Sequence, residues 1–345
     1  RRFTRLLAAL YVGFTRLYPA APDAFLSASH IGHHSGFSMP RTKVIHQSWR
    51  SLLDRHKVLQ LPAAHDALSA KLIERAGFAA YQVGGFALEG ARFGVPDIDL
   101  VRFGEKSEAV RDIIAASGLP VLVDCDDGYG DVKNVTHTVN VYEGMGVAAI
   151  FIEDQRPPKR CGHMPGKEVI PPDEMAEKLR AAAAARSTTD AMFLIARTDA
   201  AEPNGLDDAM RRCELYLRTG ADAIYIEAEH SEKDLKRIAK EFKGVHKVVN
   251  VFEGGGKSPW MSPKQLEDLG FTMALYPTTV LFRVTHAIQD ALATLRAGKK
   301  MDSTHAVSMK EFELIVELPQ WALVESRFRS GPVAKIRKVV DKLRA

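Results

Sequence analysis

Residues 119–127 read LPVLVDCDD and residues 147–155 read VAAIFIEDQ. Each is a short aliphatic run that breaks into acid. Near-continuous apolar runs of this length fit strands buried on both faces, as in a parallel sheet. The pattern recurs as VLQLPAA (58–64), AAYQVGGF (79–86), AMFLIARTDA (191–200), ADAIYIEAE (221–229), HKVVNVFEG (246–254) and TMALYPTT (272–279). Between the runs lie amphipathic stretches such as DALSAKLIERAG, PDEMAEKLRAAAAA, LDDAMRRCELYLRTG and SPKQLEDLG. Several end in the glycine that closes many helices. Eight such units predict an α/β chain folded as a (β/α)8 TIM-type barrel, with its active site at the C-terminal strand ends. A doubly wound open sheet would concentrate its chemistry at one switch point. Here nearly every run ends in a polar or charged residue, which favours the barrel.

Composition narrows the function. The chain has 345 residues, 46% of them apolar, and a net charge of +4. No basic block with interleaved aromatics is present, so nucleic acid is not an expected partner. No apolar run reaches the roughly 20 residues of a membrane span. Cys125, Cys161 and Cys213 are odd in number and far apart, which fits free thiols in the cytoplasm. The first 38 residues differ from the rest, with four arginines and no acid before Asp23 and one apolar helical face. They could act as a mitochondrial-type presequence. The expected organisation is an N-terminal extension over 1–44, a barrel over 45–300 and a C-terminal helical tail over 301–345.

Asp124 and Asp126 lie two apart on one expected strand, so both side chains leave the same face. The next strand delivers Glu153 at a matching height. Carboxylates converging at a barrel mouth repel one another unless protons, a Lys or Arg partner or a metal cation neutralise them, and hard oxygen ligands suit Mg²⁺, with Mn²⁺ as a substitute. Asp127 and Asp154 are expected to be structural. Arg197 ends the fifth strand, where a guanidinium can grip a substrate carboxylate. Glu227 and Asn250 end the sixth and seventh, where they could hydrogen-bond the substrate or its metal. GGGKS (254–258) imitates a phosphate loop, but Val251 holds the position where that motif needs glycine.

The segments HDALSAKLIERAGF, GVPDIDL, DCDDGYGDVKN, IEDQRPPKRCGHMPGK, ARTDA, IEAE and ALYPTT resemble, in order and spacing, the isocitrate lyase and phosphoenolpyruvate mutase superfamily. The resemblance covers roughly residues 45 to 330. It implies a barrel whose last helix is swapped between neighbours in a homotetramer. It makes Asp124 the direct Mg²⁺ ligand, with Asp126 and Glu153 acting through water. Asp97 and Arg197 become part of the substrate site. Lys159, Arg160, Cys161, Gly162 and His163 become a mobile loop closing over the substrate. In the carbon–carbon lyases of the family the loop cysteine is a general acid, and neighbouring cations are expected to lower its pKa toward neutrality.

The pattern also departs from the family. Gly84, followed by Gly85, stands where many members hold a serine or threonine for the pyruvate-like end. Gln82 replaces a tyrosine proposed as the base, and the stretch after Asn250 holds one extra glycine. The implied activity is Mg²⁺-dependent carbon–carbon cleavage of a substituted 2-hydroxy di- or tricarboxylate, of the 2-methylisocitrate or 2,3-dimethylmalate type. The alternatives are a carboxyphosphonoenolpyruvate phosphonomutase and an oxaloacetate hydrolase.

Overall fold

Each of the eight apolar runs forms a strand: β1 Leu59–Pro62, β2 Tyr81–Val83, β3 Val121–Asp124, β4 Ala149–Glu153, β5 Phe193–Thr198, β6 Ala223–Ile226, β7 His246–Asn250 and β8 Met273–Tyr276. This computed structural model describes residues 48–228, 231–253 and 260–329. The extension over 1–44, the GGGKS stretch and the tail beyond residue 329 lie outside the described residues. All strand pairs are parallel, in the order β1-β8-β7-β6-β5-β4-β3-β2. The two ends meet where Ala63 bridges Gln82 and the Ala64 N–H donates to the Gln82 carbonyl at 2.9 Å. The sheet is a (β/α)8 barrel.

Local chemistry sets the helix limits. Asp66 and Ser69 form a reciprocal cap at the start of Ala67–Arg75, and Asp131 caps Val132–Met145. Gly146, at φ 88°, ends the latter. A left-handed residue there satisfies the last carbonyls without a Cβ clash. Ser262 and Gly270 perform the same two tasks around Pro263–Leu269.

Inward-pointing residues alternate along each strand. Ala149 and Phe151, Phe193 and Ile195, Ala223 and Tyr225, with Leu122 and Val248, fill one barrel core, closed below by Trp49, Leu52 and Leu53. Continuing that alternation by one step brings Asp124, Glu153, Arg197, Glu227 and Asn250 to the upper rim. The packed interior therefore holds a polar mouth. The helices after β8, Thr279–Arg296 and Leu318–Phe328, have no buried residue and display Ile288, Leu292, Trp321 and Leu323 to the outside. Among the described residues no helix is long and apolar enough to cross a membrane.

Candidate active site

The strand ends deliver a dense charge cluster. Asp124 closes β3, but Asp126 does not share its strand face as expected. Asp126 has left the strand in the left-handed region at φ 47°, and its N–H donates to Asp124 Oδ1 at 2.9 Å. A turn, not the pleat, brings the two carboxylates together. Glu153 accompanies them, its N–H donating to the Asp126 carbonyl at 2.8 Å. Gly85, at the start of helix Gly85–Arg92, donates its N–H to Asp124 Oδ2 at 3.3 Å. A Cβ on Gly85 would stand 3.3 Å from both Asp97 Oδ1 and Lys106 Nζ. Gly84, the residue before this helix, lines the same cavity.

Buried lysines hold the acids in place. Lys159 pairs with Asp97 and, at 2.6 Å, with Asp126 Oδ1. Lys106 pairs with Asp126 and, at 2.7 Å, with Glu89. Burial alone would raise the Asp126 carboxyl, yet Lys106 and Lys159 bring it well below the ordinary carboxylate value. Burial, then the Asp126 charge, raises Asp124. Burial likewise raises Glu153, against the pull of Arg197.

Arg197 was expected to be open to a substrate carboxylate. Instead Nε and Nη2 grip Asp199 at 2.8 and 3.0 Å, and Nε stands 3.2 Å from Glu153. Phe151 and Tyr225 face the guanidinium with ring centroids at 5.6 and 5.3 Å. Tyr225 donates its hydroxyl to Glu227, and Asn250 Nδ2 lies 3.4 Å from the same oxygen. Burial acts to raise Glu227, but Arg197 and His163 outweigh it and hold the carboxyl below its usual value.

The segment 159–163 sits down on this cluster. Cys161 N–H donates to the Asp97 carbonyl at 2.9 Å, and the Gln155 side chain holds the Arg160 backbone through both its oxygen and its nitrogen. The Arg160 side chain itself is exposed at the cavity edge. His163 stacks on Phe252 with centroids 4.0 Å apart, and its Nδ1 lies 3.7 Å from Glu227. Lys167 Nζ reaches back to the Gly162 carbonyl. A Cβ on Gly162 would fall 2.6 Å from Glu227 Cγ and 2.7 Å from Arg197 Nη2, so only glycine allows this approach.

The thiol reverses its expected electrostatics. Burial, followed by the Asp97 charge, pushes Cys161 up to about 12. Arg197 pulls the value down, but burial with the Asp97 and Glu227 charges outweighs it, and Lys159 is engaged by Asp97 and Asp126.

Glu89, Asp97, Asp124, Asp126, Glu153, Asp199 and Glu227 face Lys106, Lys159, Lys167 and Arg197, so acid exceeds base by three. Glu153 Oε1, Glu227 Oε1 and Asn250 Oδ1 are buried acceptors without a hydrogen-bond donor among the described residues. This donor set, hard and over-negative, fits a small divalent cation. Among the described residues no three acidic, histidine or cysteine side chains cage an ion unaided. Asp127 accepts from Tyr129 N–H at 2.9 Å and pairs with Lys178. Asp154 binds Thr198, Arg212 and Tyr216 behind the strands. Both are structural, as expected. Lys106, Glu89, Asp199 and Tyr225 are the cluster members that the strand-end pattern does not reveal.

The family model described as phosphoenolpyruvate phosphomutase matches residues 49–296. The chain is 38% identical to 2,3-dimethylmalate lyase of Eubacterium barkeri, over 82% of this chain and 97% of that protein. It is 36% identical to the chloroplastic carboxyvinyl-carboxyphosphonate phosphorylmutase of Arabidopsis thaliana, over 83% and 86%. Among solved structures, oxaloacetate acetylhydrolase with 3,3-difluorooxalacetate aligns at a TM-score of 0.77 and 28% identity, over 83% of this chain and 97% of that one. Phosphonopyruvate hydrolase in complex with oxalate and Mg²⁺ aligns at 0.74 and 28%, over 82% and 98%. With the barrel and its acidic mouth in place, these matches identify the chain as an enzyme of the isocitrate lyase and phosphoenolpyruvate mutase superfamily.

Proposed function

We propose that the enzyme is a Mg²⁺-dependent carbon–carbon lyase that cleaves a substituted 2-hydroxy dicarboxylate to a 2-oxo acid and a carboxylate. The observation that carries this reading is the position of Cys161: a thiol kept protonated, in one cavity with Asp124, Glu153 and Arg197. A retro-aldol cleavage leaves a carbanion beside a carboxylate, and that carbon needs a proton donor at its face.

Asp124 would hold the ion, with Asp126 and Glu153 behind it; Mg²⁺ supplies positive charge for the oxyanion of the 2-oxo acid. Arg197 Nη1 makes no hydrogen bond among the described residues and is free to bind a substrate carboxylate. Glu227 Oε1 has no hydrogen-bond donor among the described residues and would accept the hydroxyl proton, as a weak base because its carboxyl is held below the usual value. The C–C electrons pass to the carbon beside the departing carboxylate, and the Cys161 S–H protonates it. About 50 Å³ of space remains under the loop, enough for a few waters. Substrate entry therefore requires residues 159–163 to lift. Swapping of the last helix within a homotetramer would cover the apolar residues displayed after β8.

The test is a screen of 2-hydroxy di- and tricarboxylates for 2-oxo acid release with Mg²⁺, beside phosphorus NMR on phosphonate substrates. Cleavage of a substituted malate supports the lyase. Phosphonate turnover with no 2-oxo acid release would replace it with the mutase reading that the Arabidopsis relative favours.

A further inference from the structure

The segment that carries Cys161 is a hairpin with a fixed stem. Arg156 N–H donates to the Glu168 carbonyl at 2.8 Å and Ile170 N–H to the Asp154 carbonyl at 2.9 Å. An antiparallel bridge joins Gln155 to Val169 between them. Away from the stem, Met164 N–H donates to the Cys161 carbonyl at 2.8 Å, so residues 161–164 form one turn. Holding any residue of that turn therefore places the thiol.

Lys167 stands beside the stem. Its side chain is 2% exposed, with Asp199 Oδ1 at 3.5 Å and Glu202 Oε2 at 3.3 Å. The Gly166 N–H donates to Glu202 Oε1 at 3.2 Å, which ties the backbone next to Lys167 to the same carboxylate. Asp199 is itself fixed: its N–H donates to Asp154 Oδ1 at 2.9 Å, and its carboxylate grips Arg197. An ammonium has three N–H donors. The remaining acceptor is the Gly162 carbonyl, within the turn that carries the thiol. The Cα of Gly162 in turn packs against Arg197 and Glu227.

A buried ammonium left one acceptor short is costly. When residues 159–163 lift, Lys167 loses the Gly162 carbonyl while the stem beside it stays in place. That difference favours the seated loop.

We infer that Lys167 is a positioning residue, a fixed latch that holds the Gly162 carbonyl and thereby seats Cys161 over the site. Asp199 holds the latch and Arg197 through one carboxylate. The inference rests on the lifting of residues 159–163 for substrate entry, and not on the reaction that follows.

The experiment is iodoacetamide labelling of the whole enzyme without substrate, at about pH 8, just below the pKa of a free thiol. Peptide mass spectrometry identifies the labelled cysteine. Wild type should label slowly at Cys161, and Cys125 and Cys213 are buried. Lys167→Met keeps the length of the side chain and removes its charge and donors. It should label Cys161 about 10- to 100-fold faster, the worth of one hydrogen bond to a charged group, with Cys125 and Cys213 still unlabelled. Lys167→Arg, which keeps a cation with several donors, should recover most of the protection. Labelling of Lys167→Met at the wild-type rate overturns the inference. So does labelling that spreads to Cys125 and Cys213, which would give Lys167 a role in the fold and none specific to the loop. Should Lys167→Met fail to fold, Glu202→Gln loosens the latch from its exposed side and should raise Cys161 labelling severalfold; an unchanged rate there also overturns the inference. No step of this experiment uses turnover, so a failed search for 2-hydroxy acid cleavage removes the lyase reading and leaves the latch standing.

Discussion

Lys106 Nζ stands 2.7 Å from Glu89 Oε1, with side chains 2% and 0% exposed. The same ammonium reaches Asp126, so a charge pair lying outside the catalytic cavity fixes a carboxylate of the proposed metal site. Burial lifts Glu89 to about 7 despite Lys106, which shows how strongly this pocket disfavours a lone anion. Removing one partner of a buried pair costs roughly 3–5 kcal/mol, while replacing both by apolar groups is often neutral. Lys106→Met should lower stability by about that amount, and Lys106→Met with Glu89→Leu should recover much of it. Urea unfolding of the three proteins measures this. Losses that simply add would show the two residues to be energetically independent.

Gly162→Ala tests the closed loop. The added methyl would fall within 2.8 Å of Glu227 Oε1 and closer still to Glu227 Cγ and Arg197 Nη2. The loop must then stay lifted, displacing Cys161. Misplacing a catalytic group by about 1 Å can cost roughly 10²-fold, so kcat should fall by that order. Stability should change by no more than about 0.5 kcal/mol, as expected away from the core. Trypsin should cut after Arg160 faster than in wild type. Wild-type turnover by this variant would show that the close approach of Gly162 is not needed for catalysis.

The strands and helices were legible because their signals are local: apolar runs of strand length, capping residues and terminal glycines. Pro172–Ala185 begins and ends where its amphipathic stretch does. The strand-end acids were legible for the same reason, through the alternation that carries Phe151 to Glu153 and Tyr225 to Glu227. Asp126 lies beside Asp124 through a left-handed turn that strand alternation does not describe. Lys106 was invisible because a lysine on an amphipathic helix looks like a solvated residue. The Cys161 environment was misread because sequence displays charges without showing which of them are already paired. Only the fold reveals that Lys159 and Arg197 are neutralised by Asp97 and Asp199.

The carboxylate excess gives the metal its own test. Asp124→Asn keeps an oxygen at Oδ1 to accept the Asp126 N–H and gives up only the long 3.3 Å contact from Gly85 to Oδ2, while relieving repulsion against Asp126. Its melting temperature without metal should equal or exceed that of wild type. Adding Mg²⁺ to wild type should raise stability, by about 2.7 kcal/mol at a hundred times Kd, and EDTA should reverse the effect. The variant should lose that response and its activity. An undiminished Mg²⁺ response in Asp124→Asn would move the ion elsewhere.

Cys161 separates the chemical readings. An ordinary thiol ionises near 8.5 and would stop serving as an acid above that pH. Burial and Asp97 push Cys161 to about 12, so the seated thiol keeps its proton across the working range. Because the folded value is the raised one, the stability this thiol contributes is complete below the unfolded thiol's pKa and declines as pH rises toward 12. The kcat profile should therefore show no loss attributable to the thiol between about pH 7 and 10. Iodoacetamide needs the thiolate, so it should react with Cys161 far more slowly than with a free thiol, and more slowly again when a dicarboxylate holds the loop down. Cys161→Ser retains size but donates its proton poorly, so kcat should fall about 10²- to 10⁴-fold. Binding through Arg197 and the melting temperature should hardly move. A phosphonomutase, which protonates no carbanion, should tolerate the change. A kcat that falls with an apparent pKa near that of a free thiol would instead mean that catalysis runs with the loop open and Cys161 in water.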